Sequence, residues 1–152
     1  MIADMTILRH PSEKRGFANP EPMILIAIIG IVLAVAIPQF ARARLRAKEL
    51  DTRKALTALR SALAAYHKDM GGRYPAHVSE LLLGDKYLRS VPKAKVPPHH
   101  MDSDSVRLAL HSSDSDDSGG WAYVAEPSSK DWGTVFVNCT HTDIKGASWS
   151  DY

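Results

Sequence analysis

Met23-Ile-Leu-Ile-Ala-Ile-Ile-Gly30-Ile-Val-Leu-Ala-Val-Ala-Ile-Pro38-Gln39-Phe40 carries no charge, between flanks rich in Lys, Arg, Asp and Glu. A run of that length and composition is a membrane-crossing helix by hydropathy. Residues Met1 to Gly16 are polar and hold Arg9, Lys14 and Arg15. Positive charge stays on the cytoplasmic side, so the apolar run should point outward. An ordinary secretory signal is cut after its apolar segment, beside small residues. That boundary here reads Ala36-Ile37-Pro38-Gln39-Phe40, which offers no such site, and helix-compatible sequence continues beyond it. The segment is therefore expected to be retained.

Lys14-Arg15-Gly16-Phe17, then Glu21, then the apolar run with Gly30 and Pro38 resembles the N-terminus of type IV pilins and type II secretion pseudopilins. The resemblance covers the leader junction and the whole apolar helix, with Glu21 the fifth residue after that junction. It implies cleavage between Gly16 and Phe17 by a prepilin peptidase on the cytoplasmic face, and methylation of the new Phe17 amine. It also implies insertion in the inner membrane as a precursor, then polymerisation through the helix into a periplasmic or cell-surface filament. Its partners would be copies of the chain in a helical homo-oligomer, the inner-membrane assembly machinery and the membrane, with no nucleic acid required.

The matching residues have physical readings of their own. Gly16 leaves the backbone beside the scissile bond unhindered. Glu21 places a carboxylate at the edge of an apolar run, which costs several kcal/mol if buried unpaired. In the family reading its partner is the positive Phe17 amine of an adjoining subunit; the plainer reading puts it among lipid headgroups. Gly30 weakens a helix by about 1 kcal/mol relative to Ala. Pro38 cannot donate to the Ala34 carbonyl, so the stretch between them is primed to loosen; the resemblance implies extension or kinking there after assembly, and the plainer reading is that Pro38 only bends the membrane helix near its exit. Pro20 and Pro22 flank Glu21 where family members carry helix-compatible residues, and they bias Asn19 and Glu21 away from helical geometry. A helix start near Pro22 is expected, since proline suits a first helical position.

Strong helix formers continue after Phe40 until Gly71-Gly72, and Leu45, Leu56, Leu59, Leu63 and Tyr66 fall largely at helical spacing. A helix from about Met23 to about Asp69 would span roughly 70 Å. Arg42, Arg44, Arg46, Lys48, Arg53 and Lys54 form a basic face, read as solvated or as touching headgroups or neighbouring subunits. No aromatic interleaving supports strand binding.

Gly71-Gly72-Arg73-Tyr74-Pro75 should turn the chain, and Val78 to Leu83 should form a second short helix. Pro92, Pro97 and Pro98 punctuate a loop. Alternation at Val106, Leu108 and Leu110, then Trp121 to Val124 and Thr134 to Asn138, predicts three short antiparallel strands laid on the helix. The fold class is thus α+β. Cys139 to Tyr152 should wrap the sheet edge.

With 152 residues there is room for one small head. A net charge of +2 is too mild to argue for nucleic acid. A single cysteine, Cys139, excludes an internal disulfide, so an exported head must rely on packing, a bound ion or neighbours. Asp114, Asp116 and Ser118 offer oxygens at alternate positions before Gly119, like the start of a calcium loop, but the twelfth position is Ala125. A solvated acidic hairpin is the default there, with calcium as the alternative. His99, His100, His111 and His141 with Cys139 do not have zinc-motif spacing, and surface or hydrogen-bonded histidines are expected. Asn138-Cys139-Thr140 formally matches a glycosylation acceptor. No nucleophile motif, phosphate loop or paired acids point to an enzyme.

The expected organisation is a leader over residues 1–16, an assembly helix over 17–40, an amphipathic stem over 41–70 and a head over 71–152. The expected function is a structural subunit of a type IV pilus-like filament. The alternatives are a pseudopilin of a type II secretion system and, in another class, a membrane-anchored periplasmic binding domain that never polymerises.

Overall fold

The computed structural model describes residues 20–152, so Gly16 and Phe17 lie outside the described residues. The chain divides into two units, residues up to Gln39 and Phe40–Tyr152, which are described separately. Helix α1 is assigned over Pro20–Asp69. It starts two residues before the expected Pro22. Both prolines fall in the first turn, where backbone N–H groups lack helical partners anyway, so their missing donors cost little. In the first unit the apolar side chains from Met23 to Ile37 are solvent-exposed apart from the half-buried Ala36, and the helix continues through Gly30 and Pro38. Among the described residues it is the one helix long and apolar enough to cross a membrane.

In the second unit, α1 turns one stripe towards the head: Leu45, Glu49, Thr52, Leu56, Leu59, Leu63 and Tyr66. Leu56, Leu59 and Leu63 are buried, and Leu45 and Tyr66 half-buried. Alternating steps of three and four keep such positions on one face. Glu49 and Thr52 are also buried, although side chains of these types are mostly exposed in folded proteins. Their partners explain it. The Ile144 amide donates to Glu49 Oε1 at 2.9 Å, and the Thr52 hydroxyl bridges the Lys95 backbone. The helix closes where the Gly72 amide donates to the His67 carbonyl at 2.8 Å, with Gly71 and Gly72 at φ of 64° and 91°. That left-handed turn is open to glycine and costly for other residues.

The expected second helix is a 3-10 segment over Val78–Asp85, with non-helical dihedrals at Leu83 and Gly84. Glu80 ties it down from both sides. One carboxylate oxygen accepts the His77 amide at 3.1 Å and the other accepts the Tyr66 hydroxyl at 2.8 Å.

Three strands follow, β1 (Val106–Ala109), β2 (Trp121–Val124) and β3 (Val135–Val137), in spatial order β1-β2-β3. The sheet is mixed. β2 and β3 pair antiparallel, pairing Trp121 with Val137 and Tyr123 with Val135. β1 and β2 are parallel, which corrects the expectation of an all-antiparallel sheet. Residues 110–120 carry the chain back to the end where β1 began, which a short hairpin turn cannot do. β2 is buried on both faces. Trp121, Tyr123, Val135 and Val137 join the stem leucines in the main core, while Ala109, Ala122, Val124 and Phe136 form a smaller core on the other face.

That two-sided burial alters the reading of β1. Val106 packs on the main core as the alternation implied, but Leu108 is 49% exposed and Leu110 64% exposed, whereas Ala109 is 4% exposed. β1 is an edge strand, and the two leucines stay largely uncovered. One indole and one phenol anchor the central strand: Trp121 Nε1 donates to the Pro92 carbonyl and the Tyr123 hydroxyl to the Pro75 carbonyl, both at 2.7 Å. The final stretch packs on the free side of β3 through a 3-10 turn at Trp149–Asp151, with Trp149 buried.

Candidate functional site

Glu21 sits in the first turn of α1, where the unpaired N–H groups give the helix end partial positive charge that suits a carboxylate. Its side chain is exposed. An added Cβ at Gly30 would meet nothing within 4 Å, so no contact among the described residues requires glycine there. Gly30, Pro38 and the surrounding isoleucines, valines and leucines thus present an apolar cylinder that the described residues leave uncovered. A helix apolar all round belongs in a membrane or a protein core.

The basic face divides in two. Lys48 pairs with Asp102 at 2.9 Å and Arg53 is turned inward, leaving Arg42, Arg44, Arg46 and Lys54 exposed and without an ion pair among the described residues. Arg53 donates to the wholly buried Asp143 carboxylate and lies over the Tyr152 ring, 4.3 Å from its centroid. Asp143 also accepts the Lys145 amide at 2.8 Å, the Ala147 amide at 2.9 Å and the Tyr152 hydroxyl at 2.7 Å. Burial pushes its carboxyl up, but these hydrogen bonds and the Arg53 charge outweigh that and hold it below the usual carboxylate range. Arg60 completes the attachment by donating to the Val135 and Tyr152 carbonyls. The polar tail is therefore fastened to the stem by Arg53, which belongs to the basic face read from the sequence, and by Arg60, which that reading did not single out.

The acidic loop carries its own counter-charge. Arg107 reaches Asp114 at 3.4 Å and Asp116 at 3.3 Å, and also donates to the Asp114 carbonyl. Asn138 is wholly buried and gathers the loop. Its amide nitrogen donates to Asp116 at 2.7 Å and Ser118 at 2.9 Å, and its oxygen accepts the Ser115 hydroxyl and the Asp116 amide, both at 3.1 Å. The three oxygens expected as calcium ligands thus already face a guanidinium and an amide. Burial of Asn138 also takes the glycosylation pattern out of reach of modification in the folded head.

The histidines are brought together in a way their spacing does not announce. His100 Nε2 lies 3.2 Å from Asp117 Oδ1, His141 Nδ1 lies 3.3 Å from the same oxygen, and Cys139 Sγ lies 3.4 Å from His141 Nδ1. One ligand atom from each of these four residues falls within 4.8 Å of all the others. His99 stacks on His141, ring centroids 3.9 Å apart and planes 11° from parallel. The Thr140 amide, at 2.8 Å, is foremost in holding the Asp117 carboxyl down to about 2, and burial pushes the Cys139 thiol up to about 11. His111 stays exposed outside this group.

An exposed apolar helix leading into a stem that backs a small mixed sheet defines a helix-anchored α+β subunit. The chain belongs to the type IV pilin family. It is 30% identical to the type IV major pilin protein PilA of Myxococcus xanthus (strain DK1622), over 86% of this chain and 68% of that protein. No family model matches the chain. No solved structure matches it.

Proposed function

We propose that the chain is the structural subunit of a type IV pilus, inserted in the inner membrane as a precursor, cut between Gly16 and Phe17, methylated at Phe17, and polymerised through α1. The observation that carries this reading is the uncovered apolar surface from Met23 to Phe40 in a chain 30% identical to a major pilin. Lipid covers that surface before assembly, and the same helices of neighbouring subunits cover it in the filament. On moving from bilayer to filament the apolar faces exchange one apolar environment for another, so the specific drive must come from polar pairing. Glu21 supplies it by neutralising the Phe17 amine of an adjoining subunit, because either charge left alone in that setting costs several kcal/mol. Relation to a major pilin favours a pilus over a secretion pseudopilus.

The test is intact-mass and N-terminal analysis of the chain expressed with and without a prepilin peptidase, with Glu21→Ala in a filament-shearing assay. Cleavage after Gly16, a methylated Phe17 and loss of sheared filaments in the variant are expected. A chain that stays uncut beside an active peptidase would overturn the reading and leave an anchored head that does not polymerise.

A further inference from the structure

We propose that His100, Asp117, Cys139 and His141 form a zinc site that staples three loops of the head. His100 follows the Pro97-Pro98 pair, Asp117 lies in the return from β1 to β2, and Cys139 and His141 leave β3. In a tetrahedral zinc site with bonds of about 2.0–2.3 Å, neighbouring ligand atoms lie about 3.3–3.6 Å apart. Three of the six separations, 3.2, 3.3 and 3.4 Å, are close to a tetrahedron's edges, and all six lie within 4.8 Å. An ion entering among them needs small side-chain rotations and leaves the backbone where it is.

The donor set suits a borderline-soft divalent ion and not a hard one: two imidazoles, one thiolate and one carboxylate. Binding breaks the Cys139 S–H bond, forms a sulfur–zinc bond and releases one proton to solvent. Thiolate and carboxylate then balance the dication, so the closed site is neutral, as its half-buried position requires. Entry is open because the side chains of His100, Asp117 and His141 are 16%, 32% and 38% exposed. The neighbours are shaped for the rings. A Cβ at Gly119, at φ of 81°, would press on His100 at 3.2 Å, and the stacked His99 fixes the plane of His141. A metal cross-link does for this cysteine-poor head what a disulfide does elsewhere. It depends on neither Glu21 nor cleavage, so it stands or falls apart from the filament reading.

The full chain in detergent, stripped with EDTA, is titrated with Co²⁺ and then Zn²⁺. One equivalent of Co²⁺ should give the intense visible bands of a tetrahedral site and a thiolate-to-metal charge-transfer band. One equivalent of Zn²⁺ should remove both and raise the unfolding midpoint. Cys139→Ser should abolish the charge-transfer band, and His100→Gln should weaken zinc by more than about tenfold, the loss reported even for outer-shell partners. His111→Gln should titrate like the parent. Circular dichroism of each metal-free variant checks its fold, and the parent titration decides without them. A weak octahedral Co²⁺ spectrum with no thiolate band, or zinc binding unchanged in a folded His100→Gln/His141→Gln variant, overturns the site.

Discussion

The Thr52 hydroxyl accepts the Lys95 amide at 2.7 Å and donates to the Lys95 carbonyl at 2.6 Å. One side chain on the stem thus satisfies both backbone groups of a loop residue in the head. Its single hydrogen goes to Lys95, leaving the Lys48 carbonyl at 3.2 Å as the weaker acceptor. Thr52→Val keeps the shape and strands both Lys95 groups. A loss of about 2–3 kcal/mol is expected, read as a lower urea midpoint with unchanged slope.

Leu59 is fully buried in the main core, while Leu108 is 49% exposed on β1. Leu59→Ala should cost about 2–5 kcal/mol through lost burial and the cavity left behind. Leu108→Ala should stay within about 0.5 kcal/mol. Equal losses in thermal unfolding would contradict the placement of the core.

Removing the Asp143 carboxylate leaves Arg53, the Tyr152 hydroxyl and the Lys145 and Ala147 amides without it. Arg53 is 32% exposed, so water recovers part of that loss. Asp143→Ala should cost about 2–3 kcal/mol, with faster amide exchange concentrated between residues 143 and 152. Asp143→Asn should recover part of it, because its amide oxygen still accepts the two backbone N–H groups.

Burial raises the Tyr123 phenol well above its ordinary value, with the Glu80 charge adding to the shift. The folded state therefore keeps a proton that the unfolded chain releases near pH 10. Stability from this group is complete below that pH and lost as pH rises towards the folded value. Urea midpoints should fall above about pH 10, and Tyr123→Phe should flatten that alkaline slope while lowering the neutral-pH midpoint by removing the bond to Pro75.

The sequence announced α1 and its apolar stretch because an uncharged run and a 3-4 leucine spacing are local signals. Glu49 and Thr52 lie on the same stripe but went unread, since the partners that let them be buried, Ile144 and Lys95, are far away along the chain. Alternation located β1 and the face of Val106, yet alternation carries no strand direction, so the parallel pairing stayed hidden. It also assumed one buried face, whereas Ala109 reports two. The grouping of His100, Asp117, Cys139 and His141 obeys no motif spacing because three separate loops supply it. The basic face misled for a related reason: a helical arginine such as Arg53 looks solvated until a tail folds back over it.

The chain's single thiol, Cys139, is wholly enclosed and poorly ionised at neutral pH. The native surface is therefore silent towards maleimides. A cysteine introduced at an exposed head position such as Leu83, which is 72% exposed, gives one dye per subunit with no native thiol to delete first. Fluorescent tracking of individual filaments in living cells becomes practical on an otherwise unaltered sequence.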